Sequence, residues 1–152
     1  MQQHNRNKEN KYRDINSSSE LSETLALFPI KNVEDLEKVE NLIKAKQYLE
    51  DGLAKDLSRI GGENSVKITK RIMYRAMTNE VGQLFSFEGA KGKNIFKNLT
   101  LFSTIIKAVR LNAQMSDATD MDIVNTIKLW LAQAKNRLKN KRSQMNDEGE
   151  EN

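Results

Sequence analysis

The chain has 152 residues, enough for one domain, with 38% hydrophobic residues, a mean hydropathy of −0.70 and a net charge of +4 from 25 basic and 21 acidic side chains. It contains no cysteine and one histidine, His4, which removes disulfides, thiolate nucleophiles, zinc sites built on cysteine, and Ser-His or Cys-His catalysis from consideration. No apolar run approaches the roughly 18 residues of a spanning helix, and the start carries no hydrophobic stretch of the signal-peptide kind, so an intracellular protein without a membrane partner is expected.

In chain order, residues 1–27 read as a disordered arm. Asn, Gln, Ser and charged residues dominate Met1 to Leu21, and such a stretch buries too little apolar surface to offset its ordering entropy. Phe28-Pro29 predicts an extended entry, because the residue before proline is pushed out of the α region. Asn32 is then an N-cap, with Asp35 three residues on and Val33, Leu36, Val39 and Ile43 at helical spacing. Leu49, Leu53, Leu57 and Ile60 mark a second helical face that Gly61-Gly62 stops; with the first it makes either one long helix, weakened at Gly52, or two parted between Lys44 and Gln47.

A third helix is predicted from Asn64 or Ser65 to about Leu84. Ile68, Ile72, Met73, Ala76, Met77, Val81 and Leu84 form its inner face, and Lys67, Lys70, Arg71 and Arg75 its outer one. A fourth, Asn94 to Asn112, is apolar round most of its circumference and is expected to be the central helix. The last opens on a T-x-x-D capping box, Thr119 and Asp122, and carries Ile123, Ile127, Trp130, Leu131, Ala134 and Leu138 as an inner stripe. Residues 143–152 read as a disordered acidic tail. No strand alternation is visible, so the expected fold is all-α: a compact bundle of four to five helices over residues 28–142.

Charge is distributed unevenly. Residues 28–63 hold eight acidic and six basic side chains, a net −2, and residues 64–142 hold 15 basic and five acidic, a net +10. The tail adds −4 through Asp147, Glu148, Glu150 and Glu151. A strongly basic body speaks to partners rather than to fold.

The segment Phe85 to Phe96, FSFEGAKGKNIF, is the richest in chemistry. It is not a Walker loop: its glycines at 89 and 92 are three apart, Asn94 stands where Ser or Thr would hold Mg²⁺, and a helix precedes it. The helix that follows still offers free N–H groups to an anion, and Lys91, Lys93 and Lys97 make a nucleic-acid phosphate a candidate occupant, against a plain loop of solvated lysines. Phe85, Phe87 and Phe96 are expected to close the core; base stacking would require an exposed ring. A second basic group, Lys135, Arg137, Lys139, Lys141 and Arg142, ends the last helix and is either a solvated terminal turn or a phosphate-contacting arm joined by Lys67, Lys70, Arg71 and Arg75. Glu34, Asp35, Glu37 and Glu40 read as an acidic first turn and exposed face, and Trp130 as core. No constellation of acid, base and nucleophile emerges, so no catalytic residue, cofactor or metal site is expected and the protein is read as a non-enzyme.

The order FPIKNVEDLEKVE, LSRIGG, RIMYRAMTNEVGQLFSFEGAKGKNIFKNL, then an apolar helix and a closing one with a tryptophan resembles the domain-of-unknown-function family 4806 over Phe28 to Lys141. Its most specific pieces here are Ile60-Gly61-Gly62, Thr78-Asn79-Glu80, Phe85 through Gly89, Gly92-Lys93 and Phe96, with Phe87 where the family leads one to expect tryptophan. The family occurs in insects and other animals, often beside DNA-binding or transposon-related domains, and has no assigned catalytic residues. The helical layout is more remotely similar to BEN domains, compact modules that bind DNA or chromatin proteins. The net +10 body and the lysine-rich loop lead to the expectation of a nuclear module that binds DNA or chromatin. A protein-interaction or self-association module, suggested by the Leu- and Ile-rich helices and by the larger proteins in which the family occurs, is the alternative.

Overall fold

The computed structural model describes residues 16–112, 115 and 118–150. Its helices are α1 (residues 16–25), α2 (Val33–Ala45), α3 (Gln47–Ser58), α4 (Ser65–Ala76), α5 (Asn79–Gly82), α6 (Thr100–Leu111) and α7 (Asp120–Glu150). The all-α expectation holds, with seven helices among the described residues rather than four to five.

Local chemistry sets most boundaries. Asn32 and Asn64 cap α2 and α4, their side chains accepting the Asp35 and Lys67 N–H groups at 2.7 and 2.9 Å. Thr119 caps α7 as the T-x-x-D pattern predicts, its hydroxyl accepting the Asp122 N–H at 3.3 Å and donating to Asp122 Oδ2 at 2.8 Å. Of the two arrangements open to the first two helical faces, the structure takes two helices: the extended backbone of Lys46 separates α2 from α3.

Four expectations are corrected. Residues 16–25, assigned to a disordered arm, form a helix: Thr24 is buried, and Leu21, Leu25 and Leu27 pack against the core. Residues 1–15 lie outside the described ones. The single helix expected from 64 to 84 is interrupted at Met77, which turns extended. Ile30 donates to the Ala76 carbonyl and accepts from the Thr78 N–H, at 2.9 and 3.0 Å, and this short parallel bridge costs α4 its last turn. The fourth helix begins at Thr100, not Asn94, because Asn94–Ile95 pairs as a strand with Phe85–Ser86; accordingly Leu84 and Ile95 are exposed, not core. It is also one-sided: Leu101, Ile105, Ala108 and Val109 are buried, whereas Ser103, Arg110 and Leu111 face out. The tail, expected to be disordered from 143, continues α7 as far as Glu150.

One continuous core unites these parts. α3 lies along α6, α2 covers both, and α7 packs on α4 and α5. At Gly82 an added Cβ would lie 2.7 Å from the Trp130 ring, so the absence of a side chain lets α5 seat directly on α7. Lys107 ties α6 to α3 through Glu50 and Asp51, at 3.1 and 3.4 Å.

α1 is held by Glu20, whose carboxylate accepts from Lys46 at 2.7 Å and from the Tyr48 hydroxyl. The Lys46 bond, then the Tyr48 bond, hold the Glu20 pKa below the usual glutamate value. A depressed carboxylate contributes stability that is present above the unfolded-state value and fades as pH falls through the lowered one. Protection of the Ala26 and Leu27 amides, bonded to Ser22 and Thr24, is expected to drop between about pH 5 and 3 relative to amides of α4, and the drop should vanish in Glu20→Gln.

Candidate nucleic-acid interface

The aromatic loop is built on backbone that only a few residues tolerate. Phe85–Ser86 (β1) and Asn94–Ile95 (β2) pair in parallel, Phe85 opposite Asn94 and Ser86 opposite Ile95. A parallel pair ordinarily needs a dozen or more connecting residues. Here the return is made between Phe87 and Lys93 by left-handed backbone at Gly89 (φ 85°), Lys91 (φ 57°) and Gly92 (φ 72°). A Cβ at Gly89 would also meet the Ile95 side chain at 2.9 Å.

Its three rings serve the core. Phe85 and Phe96 are buried and meet edge to face at 6.2 Å, and Phe96 also meets Phe102 at 6.2 Å. Phe87, half-buried, stands edge-on to Phe102 at 5.2 Å, while the Lys128 ammonium from α7 lies 5.2 Å from its ring centre. The core reading of these aromatics therefore holds, and the ring with an accessible face already carries a cation.

The expected phosphate seat at the start of the following helix is filled from within. Glu40, read as part of an exposed acidic face, is buried at 6% exposure, and its two oxygens accept the Thr100 and Leu101 N–H groups at 2.8 and 2.9 Å. A carboxylate from α2 thus occupies the anion position at the N-terminus of α6.

The predicted basic residues separate into groups. On α4, Lys67 pairs with Glu63 at 2.5 Å, Arg75 with Asp56 at 3.8 Å, and Arg71 donates to the Gly61 carbonyl at 3.3 Å. Lys70 lines a shallow depression of about 260 Å³ with Asn125 and Leu129 of α7. In the loop, Lys91 and Lys97 are exposed, whereas Lys93 turns toward α2 and lines an open depression of about 810 Å³ with Glu37 and Glu40. On α7, Lys135, Lys139, Lys141 and Arg142 are exposed and form no ion pair among the described residues.

Arg137 does not belong with them. It is half-buried, donates to Asn79 Oδ1 and to the Trp130 carbonyl at 2.8 Å each, and lies 4.3 Å from the Trp130 ring and 5.5 Å from that of Tyr74. Burial draws its pKa down from the ordinary arginine value. Its place on a helix with Lys135, Lys139 and Lys141 suggested a surface cation; tertiary packing makes it a bolt between α7, α5 and α4.

The structure also brings in Lys128, which sequence reading passed over. Its exposed position seven residues before Lys135 was the available signal, since that spacing repeats a helical face. Lys128 faces the loop and its neighbour Leu129 faces α4. α7 therefore has Phe87 of the loop beside Lys128 and Lys70 of α4 beside Leu129.

Residues 22–109 match the sequence model of the family described as Domain of unknown function (DUF4806). The chain belongs to the DUF4806 family. The matched residues begin at 22 rather than 28 and end at 109 rather than 141, so the DUF4806 match takes in the end of α1 and nearly all of α6 but leaves out α7. Trp130 and Leu131 of α7 nonetheless complete the core of this DUF4806 domain. No curated protein and no solved structure matches the chain. Among the described residues no helix is long and apolar enough to cross a membrane, and no group of three His, Cys, Asp or Glu side chains is disposed to hold a metal ion.

Proposed function

We propose that this DUF4806 domain is a non-catalytic nuclear module that binds DNA or chromatin-associated nucleic acid through lysines of the loop and of α7. The observation that carries this reading is the Lys128–Phe87 contact at 5.2 Å, which joins the loop bearing Lys91 and Lys97 to the helix bearing Lys128 and Lys135. These cations are exposed and form no ion pair among the described residues, as phosphate contacts require. Nothing in the arrangement reads base edges, so affinity without strong sequence preference is the expectation.

Binding to a duplex should weaken with salt, with a log–log slope near −4 if four to five phosphates are neutralised, or about 250-fold between 50 and 200 mM. Lys97→Ala with Lys128→Ala should flatten that slope by about two, and lower the melting temperature only by the roughly 2–4 °C that loss of the Lys128–Phe87 contact entails. Fluorescence anisotropy measures both. No binding at low salt, or affinity indifferent to salt, overturns the proposal.

A second reading, docking of a protein instead, is favoured by the apolar side chains exposed where α4 meets α7: Val66 at 43%, Tyr74 at 52% and Leu129 at 50%. Under it, the double lysine variant would bind its partner normally.

A further inference from the structure

α7 continues well past the body it packs on. Its buried seam includes Ile127, Leu131, Ala134 and Leu138, in alternating steps of four and three residues. That is heptad spacing. The same steps lead on to Lys141, Met145 and Glu148, all exposed, with Met145 at 65%. From Lys139 to Gly149 every side chain faces solvent, so about 16 Å of helix stands clear of the domain. A helix that is polar all round gains little from packing and is held mainly by propagation from the buried turns before it.

Its charges are ordered along the axis. Lys139, Lys141 and Arg142 lie nearer the domain, Asp147 and Glu148 nearer the far end. Laid parallel, two such segments would set like charges side by side; laid antiparallel, each basic half meets an acidic half and the helix dipoles also oppose. Lys141 is four residues before Met145 and Glu148 three after it, so an axis beside Met145 brings Lys141 of one copy level with Glu148 of the other to within about 1.5 Å.

We propose that the projecting part of α7 is a docking surface for a second copy of the same chain. The two segments lie antiparallel about a two-fold axis at Met145, with Lys141 of each facing Glu148 of the other and the two methionines meeting at the centre. Such a contact is isologous and closes as a dimer. It spans only about three turns, below the roughly 1,000 Å² of a stable interface, so the association is weak and concentration-dependent. Its ion pairs are exposed, so salt loosens it. The proposal is independent of the nucleic-acid reading, which rests on the loop, Lys128 and Lys135.

The full chain is free of cysteine, which makes a single introduced thiol diagnostic. With copper–phenanthroline and dissolved oxygen as the oxidant, Met145→Cys is expected to form a disulfide-linked dimer at least about tenfold faster than Ala132→Cys, an exposed position on another face of α7, because association makes the reaction effectively intramolecular. Adding Lys141→Glu, or separately Glu148→Lys, should slow the Met145→Cys reaction to the Ala132→Cys rate. Mixing those two variants should restore it, since each then offers the charge the other lacks. Equal rates at positions 145 and 132, or a mixture no faster than its components, overturns the proposal. So does an unlinked Met145→Cys chain in which duplex DNA or a heterologous protein shields Lys139 and Lys141 from acylation.

Discussion

Glu40→Ala is expected to lower the stability of the domain by about 3 kcal/mol. The carboxylate is buried and accepts two backbone N–H groups at 2.8 and 2.9 Å, from Thr100 and Leu101. Hydrogen bonds to a charged acceptor contribute about 1.5–3 kcal/mol each, and a buried donor left without a partner costs a further part of its desolvation penalty. The favourable dipole of α6 at its N-terminus is lost with them. Lys44, 3.9 Å away with an exposed side chain, adds little to the sum. For a chain of this size the loss corresponds to a fall in Tm of about 10 °C. Glu40→Gln keeps the shape but can offer only one oxygen, so it should recover less than half. Glu34→Ala, on the exposed first turn of the same helix, should change stability by less than about 0.5 kcal/mol. Thermal and urea denaturation of the three variants decide the matter; a Glu40→Ala protein as stable as Glu34→Ala would mean the α6 N-terminus is capped in some other way.

Arg137→Ala should cost about 2–3 kcal/mol, and for a reason the neighbouring lysines do not share. Its guanidinium makes two hydrogen bonds of 2.8 Å, to Asn79 and to the Trp130 carbonyl, and lies over the Trp130 ring at 4.3 Å. The planar fork does what an ammonium cannot, so Arg137→Lys should recover less than half of the loss. Lys139→Ala, two residues on and fully exposed, should be neutral within about 0.5 kcal/mol. Were Arg137→Ala instead to leave Tm unchanged and weaken DNA binding, Arg137 would return to the phosphate-binding group. The pairing also gives Thr78-Asn79-Glu80 a structural role: Thr78 caps α5 and Asn79 receives the arginine.

The candidate site was legible in its composition and less so in its membership. The loop announces itself by two glycines and three aromatics, and left-handed backbone at Gly89 and Gly92 explains why glycine stands there. Which lysines it presents was not legible. Lys91 and Lys93 are two residues apart, yet one is exposed and the other turns toward Glu37 and Glu40 of α2, both more than 50 residues earlier in the chain. Lys128 gained interest only through Phe87, and Arg137 lost it only through Asn79.

Helix class and caps follow from the sequence by itself, because capping and 3.6-residue periodicity are interactions among residues a few positions apart. The family resemblance likewise rests on the order of residues alone. The tertiary structure decided the rest: that the first two helical faces part at Lys46, that α1 is held by Glu20 and its leucines, that α4 stops where Ile30 pairs beside it, that Glu40 is a buried cap, and that Lys128 of α7 lies against Phe87 of the loop. Each of these depends on two segments distant in the chain coming within hydrogen-bonding or van der Waals range. A local pattern carries no record of its remote partner, so a carboxylate or guanidinium looks alike in sequence whether it will face water or seal a core.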